Sequence, residues 1–266
     1  MTRTPAFVDI HCHLIPDIDD GSKSLAESLE MARMAVADGI RTIIATPHQL
    51  GSYANNSGDL IRQRAADLQV FLHRHDVDLQ VLSGADVRIE DTMFAGLRQG
   101  TVLSLGDHRK HVLLELPHEM YLPTLPIVER LRQLGMRSIL SHPERNEGIL
   151  RQPRLVTELV QQGCLMQVTA SSLLGTFGLP CQHFAEWMLS KNLVHFMATD
   201  AHGPKARRPL LQRCFERVKE LSGARTTETL CCHNPHAVAS GQDLDLNLVS
   251  PPVRARSRWF GLRKTA

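Results

Sequence analysis

The sequence predicts an α/β fold: about seven strand–helix units closed into a single-domain parallel (β/α)7 barrel. Three observations predict it. Short apolar runs alternate with amphipathic stretches from residue 7 to about residue 221. The chain has 266 residues, 42% of them hydrophobic, enough for one large core, and no compositional break or low-complexity linker divides it before residue 240. Histidines and carboxylates recur at the ends of the apolar runs. Strand–helix alternation with right-handed crossovers builds a parallel sheet. That many unbroken units favour a closed or nearly closed barrel over an open sheet.

The first strand is Phe7-Val8-Asp9-Ile10. Ser24-Leu25-Ala26-Glu27 is a capping box that opens a helix to about residue 38, and Gly39 stops it. The second strand covers residues 40–45. A helix over 59–74 leads to the third strand at 79–82, and the fourth lies at 112–116. Residues 126–134 form a helix closed by Gly135, and the fifth strand is 136–140. Residues 153–162 form a helix closed by Gly163, and the sixth strand is 165–169. A helix at 183–191 precedes the seventh strand at 193–198, and a last helix covers about 209–221.

Composition excludes several classes. The formal net charge is +2, which gives no basis for bulk nucleic-acid binding. No run of about 18 apolar residues is present and the first residues lack a signal-peptide pattern, so the expected location is the bacterial cytoplasm. Cys12, Cys164, Cys181, Cys214, Cys231 and Cys232 show no framework spacing and read as free thiols. None is followed six residues later by Arg, so a Cys-x5-Arg phosphatase loop is absent.

The polar residues fall at one point of each unit. Strand one ends in His11 and His13, strand two in Thr46-Pro47-His48, and strand three runs into Gly84-Ala85-Asp86. Strand four contains Glu115, strand five ends in Ser141-His142-Pro143-Glu144-Arg145, and strand seven in Thr199-Asp200-Ala201-His202. In a parallel barrel these ends converge on one face. Imidazole and carboxylate suit divalent Mn, Zn or Fe. A period of two points both rings of His11-Cys12-His13 to one side, and Asp200-Ala201-His202 repeats that spacing. Paired metals clamp a phosphate and generate hydroxide from water, so no cysteine nucleophile is needed. A lone histidine at a strand end is more often an ordinary surface or core residue than a ligand. Six loaded ends in succession are not so explained. The remaining histidines (His73, His75, His108, His111, His183, His195, His233 and His236) read as ordinary surface or helix residues, with His118 near the mouth.

These motifs resemble the PHP (polymerase and histidinol phosphatase) superfamily, in its bacterial capsule and exopolysaccharide tyrosine-phosphatase branch. Asp9-Ile10-His11-Cys12-His13, Asp19-Asp20-Gly21, Ala45-Thr46-Pro47-His48, Ser141-His142-Pro143-Glu144-Arg145, the segment from Gln167 to Gly175, and Thr199-Asp200-Ala201-His202 carry the resemblance. It spans about residues 7–240, with order and spacing both matching. It implies a distorted TIM-like (β/α)7 barrel with a three-metal centre, usually manganese, with Fe or Zn as alternatives. One metal would take His11, His13, Asp86 and Asp200. A second would take Asp86, Glu115 and His142, and a third Asp20, His48 and His202. Hydroxide held between metals would attack phosphorus in line. Arg145 and Arg207 fall where the family binds phosphate, a task that suits the guanidinium fork. The family usually carries Glu where this chain has Asp86, one methylene shorter; an Asp86 that bridges two metals implies either a closer backbone or one metal bound more weakly. The implied substrate is phosphotyrosine on a bacterial tyrosine kinase that controls polysaccharide export.

Residues 246–266 differ from the expected phosphatase domain at 1–245. Pro251-Pro252 precede Arg254, Arg256, Arg258, Arg263 and Lys264, with Trp259, Phe260 and Leu262 among them. The plain reading is a solvated tail, and the sharper one is weak contact with a membrane surface or an acidic partner. Other readings of the same site are a phosphatase for histidinol phosphate or a sugar phosphate, a non-catalytic module with structural metals, and an exonuclease, which the near-neutral charge disfavours.

Overall fold

The computed structural model describes residues 6–244, so the basic tail lies outside the described residues. Strand β1 (Phe7–Cys12) is buried along its whole length. It pairs in parallel with β2 (Ile40–Ala45), and β2 with β4 (Gln80–Ser83). A second parallel sheet runs β3 (His48–Gln49), β5 (Asp86–Arg88), β6 (His111–Glu115), β7 (Arg137–Ser141), β8 (Leu165–Thr169) and β9 (Phe196–Ala198).

The two sheets are one ring with a seam. The β2 line is interrupted at Thr46-Pro47 and resumes as β3; the β4 line is interrupted at Gly84-Ala85 and resumes as β5. Pro47 has no N–H for the ladder. At Gly84 a Cβ would meet Ile44 Cγ2 at 2.6 Å, so the strands approach there too closely for any side chain. The ring then returns from β9 to β1: the Asp200 N–H donates to His11 O at 2.7 Å and the His13 N–H to Ala201 O at 2.8 Å. Seven strand lines thus follow one another in chain order, as expected.

Helices cover the outside. Helix α1 (Leu25–Ala37) starts where the capping box placed it: Ser24 Oγ accepts from the Glu27 N–H at 3.2 Å, and Glu27 Oε2 from the Lys23 N–H at 2.8 Å. Then follow α2 (Gly58–Arg74), α3 (Met93–Gln99), α4 (Leu125–Gln133), α5 (Glu147–Arg151), α6 (Arg154–Gln161), α7 (Ala170–Leu173), α8 (Leu179–Ser190) and α9 (Gln212–Ser222). After these, α10 (Ala224–Glu228), a π-helical turn and α11 (Asn234–Ala239) close the described chain. The short helices α3, α5 and α7 and everything after α9 went unread in the sequence. The seventh strand is also shorter than expected, because Asn192 adopts a positive φ of 55° and Leu193–His195 only lead into it.

Two apolar clusters result. Val8, Ile10, Ile44, Leu113, Ile139 and Phe196 fill the barrel interior, while a larger cluster lies between strands and helices. His111 and His195 correct the expectation of surface histidines. Both are buried, and His195 Nδ1 accepts from the Met166 N–H at 3.1 Å. Burial holds both rings down at about 4, so both are neutral core residues.

Candidate metal centre

A bulge builds the first ligand pair. Between Asp9 and Cys12 strand β1 advances three residues while β2 advances two. Val8 and Ile10 point into the apolar interior, and without the extra residue His11 and His13 would point outward. Bulges re-aim side chains in this way beside active sites. The two Nε2 atoms come within 3.3 Å. Each ring is fixed from behind: His11 Nδ1 donates to Gln167 Oε1 at 2.8 Å and His13 Nδ1 to Asp19 Oδ2 at 2.7 Å. That leaves both Nε2 lone pairs aimed at the centre, as outer partners do at metal sites.

The break in the ladder builds the next part. His48 opens β3 and pairs in register with Asp86, the first residue of β5. Glu115 ends β6, opposite Arg88. His142 and Asp200 follow β7 and β9 with positive φ of 33° and 51°, a conformation costly for residues other than Gly. All nine residues expected as ligands converge on this mouth. Their ligand atoms form four overlapping groups: His13, Asp20, His48 and His202; His11, His142 and Asp200; His11, His13 and Asp86; and His48, Asp86 and Glu115. These proximities cut across the sets the resemblance implied: His13 lies with Asp20, His48 and His202 as well as with His11 and Asp86, His48 lies with Asp86 and Glu115, and His142 with His11 and Asp200.

Asp86 shows that these residues fit a cation. It is fully buried, and neither carboxylate oxygen has a hydrogen-bond donor. Its neighbours are His11 Nε2 at 3.5 Å and His48 Nδ1 at 3.7 Å. A buried carboxylate without donors is expensive, and a divalent cation shared with the imidazoles removes that cost. The shorter Asp side chain still belongs to two of the groups. Its backbone N–H donates to Pro47 O at 3.1 Å.

The electrostatics agree. Burial lowers His13 to about 3, helped by the charge of His202, and pushes His142 well below the usual imidazole range. Neutral imidazole is the ligand form. Against burial, Asp200 and Asp86 raise His11 to about 9, and Asp20 and Glu115 raise His48 to about 11. The carboxylates therefore set a strongly negative potential. Asp200 is itself held well below the carboxylate range, burial being outweighed by His11, Arg207, His142 and Arg145.

Both expected arginines are present. Arg145 Nη1 and Arg207 Nη2 each donate to Asp200 Oδ2, the latter at 2.5 Å. The Arg145 guanidinium also lies 4.4 Å from the centre of the Phe177 ring. Cys12 is fully buried, and burial pushes its thiol well above the ordinary range, so it is no thiolate nucleophile. His118 is exposed and stacks on His142, ring centres 5.5 Å apart.

Sequence reasoning missed the supporting residues. Asp19 was passed over for Asp20, although only its side chain braces His13. Gln167 is polar in the wholly buried strand LMQVT, a signal that could have been used. Asp9 accepts from the Thr199 N–H at 3.0 Å and from the Thr199 hydroxyl, stapling β1 to β9 below the site.

The chain matches the capsular polysaccharide synthesis family CpsB/CapC over residues 7–240. It is 40% identical over 202 residues to tyrosine-protein phosphatase YwqE of Bacillus subtilis, covering 75% of this chain and 79% of that protein. It is 30% identical over 256 residues to the putative tyrosine-protein phosphatase CapC of Staphylococcus aureus, covering 96% and 99%. Crystal structures of YwqE from Bacillus subtilis and CpsB from Streptococcus pneumoniae are described as unique metal-dependent tyrosine phosphatases. The match to them has a TM-score of 0.87 at 34% identity, over 92% of this chain and 98% of that one. A phosphotriesterase homology protein from Escherichia coli shares the fold alone, with a TM-score of 0.60 at 10% identity over 87% and 98%.

Proposed function

The chain belongs to the CpsB/CapC family, and on that premise we propose that it is a metal-dependent protein-tyrosine phosphatase. The observation that carries the reading is Asp86, a buried carboxylate without donors among imidazoles, next to two arginines paired to Asp200. The proposed ligands are His11, His13, Asp20, His48, Asp86, Glu115, His142, Asp200 and His202. Manganese in a three-metal arrangement suits this oxygen-and-nitrogen set, with Fe or Zn as alternatives.

Bound divalent metal supplies charge neutralisation and a water of lowered pKa. The chain supplies the rest. Gln167 and Asp19 hold the His11 and His13 rings in the ligating tautomer. Asp200 holds both guanidinium groups at the centre, where they turn to the phosphate oxygens as a bidentate pair. The apolar interior below the site buries Asp86 and Asp200 in a low-dielectric setting that strengthens their charges.

The proposed substrate is a phosphotyrosine protein, specifically a bacterial tyrosine kinase of polysaccharide export. A cytoplasmic location goes with it; no helix among the described residues is long and apolar enough to cross a membrane. Residues 1–245 would be the phosphatase domain, with 246–266 a tail that contacts the membrane surface or the partner. Turnover of phosphotyrosine peptides against histidinol phosphate and sugar phosphates tests the substrate class. The expected result is higher kcat/KM on the peptides; preference for the small phosphates would sink the reading.

A further inference from the structure

A cavity of about 220 Å³ opens directly beside the proposed ligands. Its lining includes the proposed ligands Asp20, His48 and Glu115 together with Tyr53, Arg88 and His118, which hold no proposed metal.

Two aromatic rings flank it. Tyr53 stacks on His48 with ring centres 5.3 Å apart and 22° between planes, and His118 stacks on His142 at 5.5 Å and 21°. Neither ring belongs to a ligand group. Each lies against a ligand imidazole, so together they bound the space next to a phosphate held at the centre. Tyr53 is placed by a tight loop: Leu50 and Gly51 have φ of 72° and 55°, and the Tyr53 N–H donates to Leu50 O at 2.9 Å. The Asn56 side chain ties that loop to the site, donating to His48 O at 2.9 Å and Ile18 O at 3.0 Å. His118 O accepts from the Glu147 N–H at 2.9 Å.

We propose that this cavity is the subsite for the aromatic ring of an aryl phosphate ester, with Tyr53 and His118 its specificity-determining walls. The proposal rests on the phosphotyrosine reading and deepens it. Size agrees, since about 150 Å³ suffices to hold a benzene ring. Shape agrees, since rings pair with aromatic neighbours at centre distances of roughly 4.5–7 Å. An alkyl phosphate offers neither Tyr53 nor His118 an aromatic ring to pair with. The other aromatic ring near the arginines, Phe177, carries the Arg145 guanidinium on its face.

The test uses the full chain loaded with Mn2+. Steady-state kinetics on phenyl phosphate and glycerol 2-phosphate give an aryl-to-alkyl ratio of kcat/KM. Tyr53→Leu and His118→Leu should each lower that ratio about tenfold, mainly through the aryl KM, whereas Tyr53→Phe should keep it. On the wild-type chain, phenylphosphonate should inhibit about tenfold more tightly than methylphosphonate. An unchanged ratio in both Leu variants at wild-type metal content overturns the subsite. So does equal inhibition by the two phosphonates, or a drop confined to Phe177→Leu. If the wild-type chain turns over neither aryl phosphate nor phosphotyrosine peptide, the phosphotyrosine reading itself has failed.

Discussion

At the lower end of the barrel the inward side chains are Val8, Ile10, Ile44, Leu113, Ile139 and Phe196, packed on one another. A few residues further along the same chain segments they are His11, His13, His48, Glu115, His142 and Asp200. The lower end gains free energy with each apolar group it removes from water. The upper end spends it: His142, Asp200 and Arg207 carry positive φ, and Asp86 is buried without donors. Strain of this kind costs about 1–3 kcal/mol per residue and persists where the surroundings over-determine it. The apolar end stabilises the fold, and the polar end is held in place by it. Mutations at the two ends should therefore separate stability from activity.

The largest separation is expected for Asp200→Ala or His142→Ala. Either should reduce phosphotyrosine-peptide hydrolysis by at least ~10³-fold, through lost ligation, while the thermal transition persists. Full activity in either variant would refute the ligand assignment. At the other end, Phe196→Ala should cost about 3–5 kcal/mol in denaturant unfolding while the refolded protein keeps its metal affinity. A coupled loss of affinity would mean that the two ends are not separable.

The buried neutral histidines make the lower end acid-sensitive. His195 is held at about 4 against 6.5 in the unfolded chain. Its folded value is depressed, so the unfolded state takes up the proton first and stability is complete only above 6.5. Unfolding free energy should fall by on the order of 2–3 kcal/mol as pH drops from 6.5 toward 4. His195→Gln should flatten that slope in urea titrations; an unchanged slope would remove His195 as its source.

Smaller still is the effect of bracing. Asp19→Asn or Gln167→Ala should weaken metal binding about 10- to 100-fold without unfolding the chain. Titration calorimetry reads this directly, and wild-type affinity in both would remove them from the site. Cys12→Ser sits at the bottom of the scale. Its thiol is buried and held protonated, so kcat should hardly move, and a dead variant would count against metal-based chemistry.

The same contrast explains what could be read in advance. Strand ends were legible because polar residues interrupt apolar runs there, and seven such units imply a parallel barrel with one loaded face. His11, His13, Asp200 and His202 stood out because a period of two shows in a local string. The grouping did not. That His48 rather than His142 lies beside Asp86 depends on the β3–β5 register, set by the break at Pro47 and Gly84 in two different strands. The bulge that turns His11 inward is likewise a property of the β1–β2 pair. His111 and His195 were misplaced because a histidine in an apolar strand looks the same in the sequence whether it faces solvent or core. Asp19 was missed because two adjacent carboxylates cannot be told apart until one of them meets His13 Nδ1.

On the proposed function, the upper end is a multinuclear metal centre that performs the hydrolysis. It is tested most directly by stripping the protein with chelator and returning Mn2+ stepwise, with bound metal and phosphotyrosine-peptide turnover measured on the same samples. Turnover should disappear on stripping and return only as binding passes one equivalent per chain toward three. Turnover that survives stripping, or that is complete below one equivalent, would contradict it.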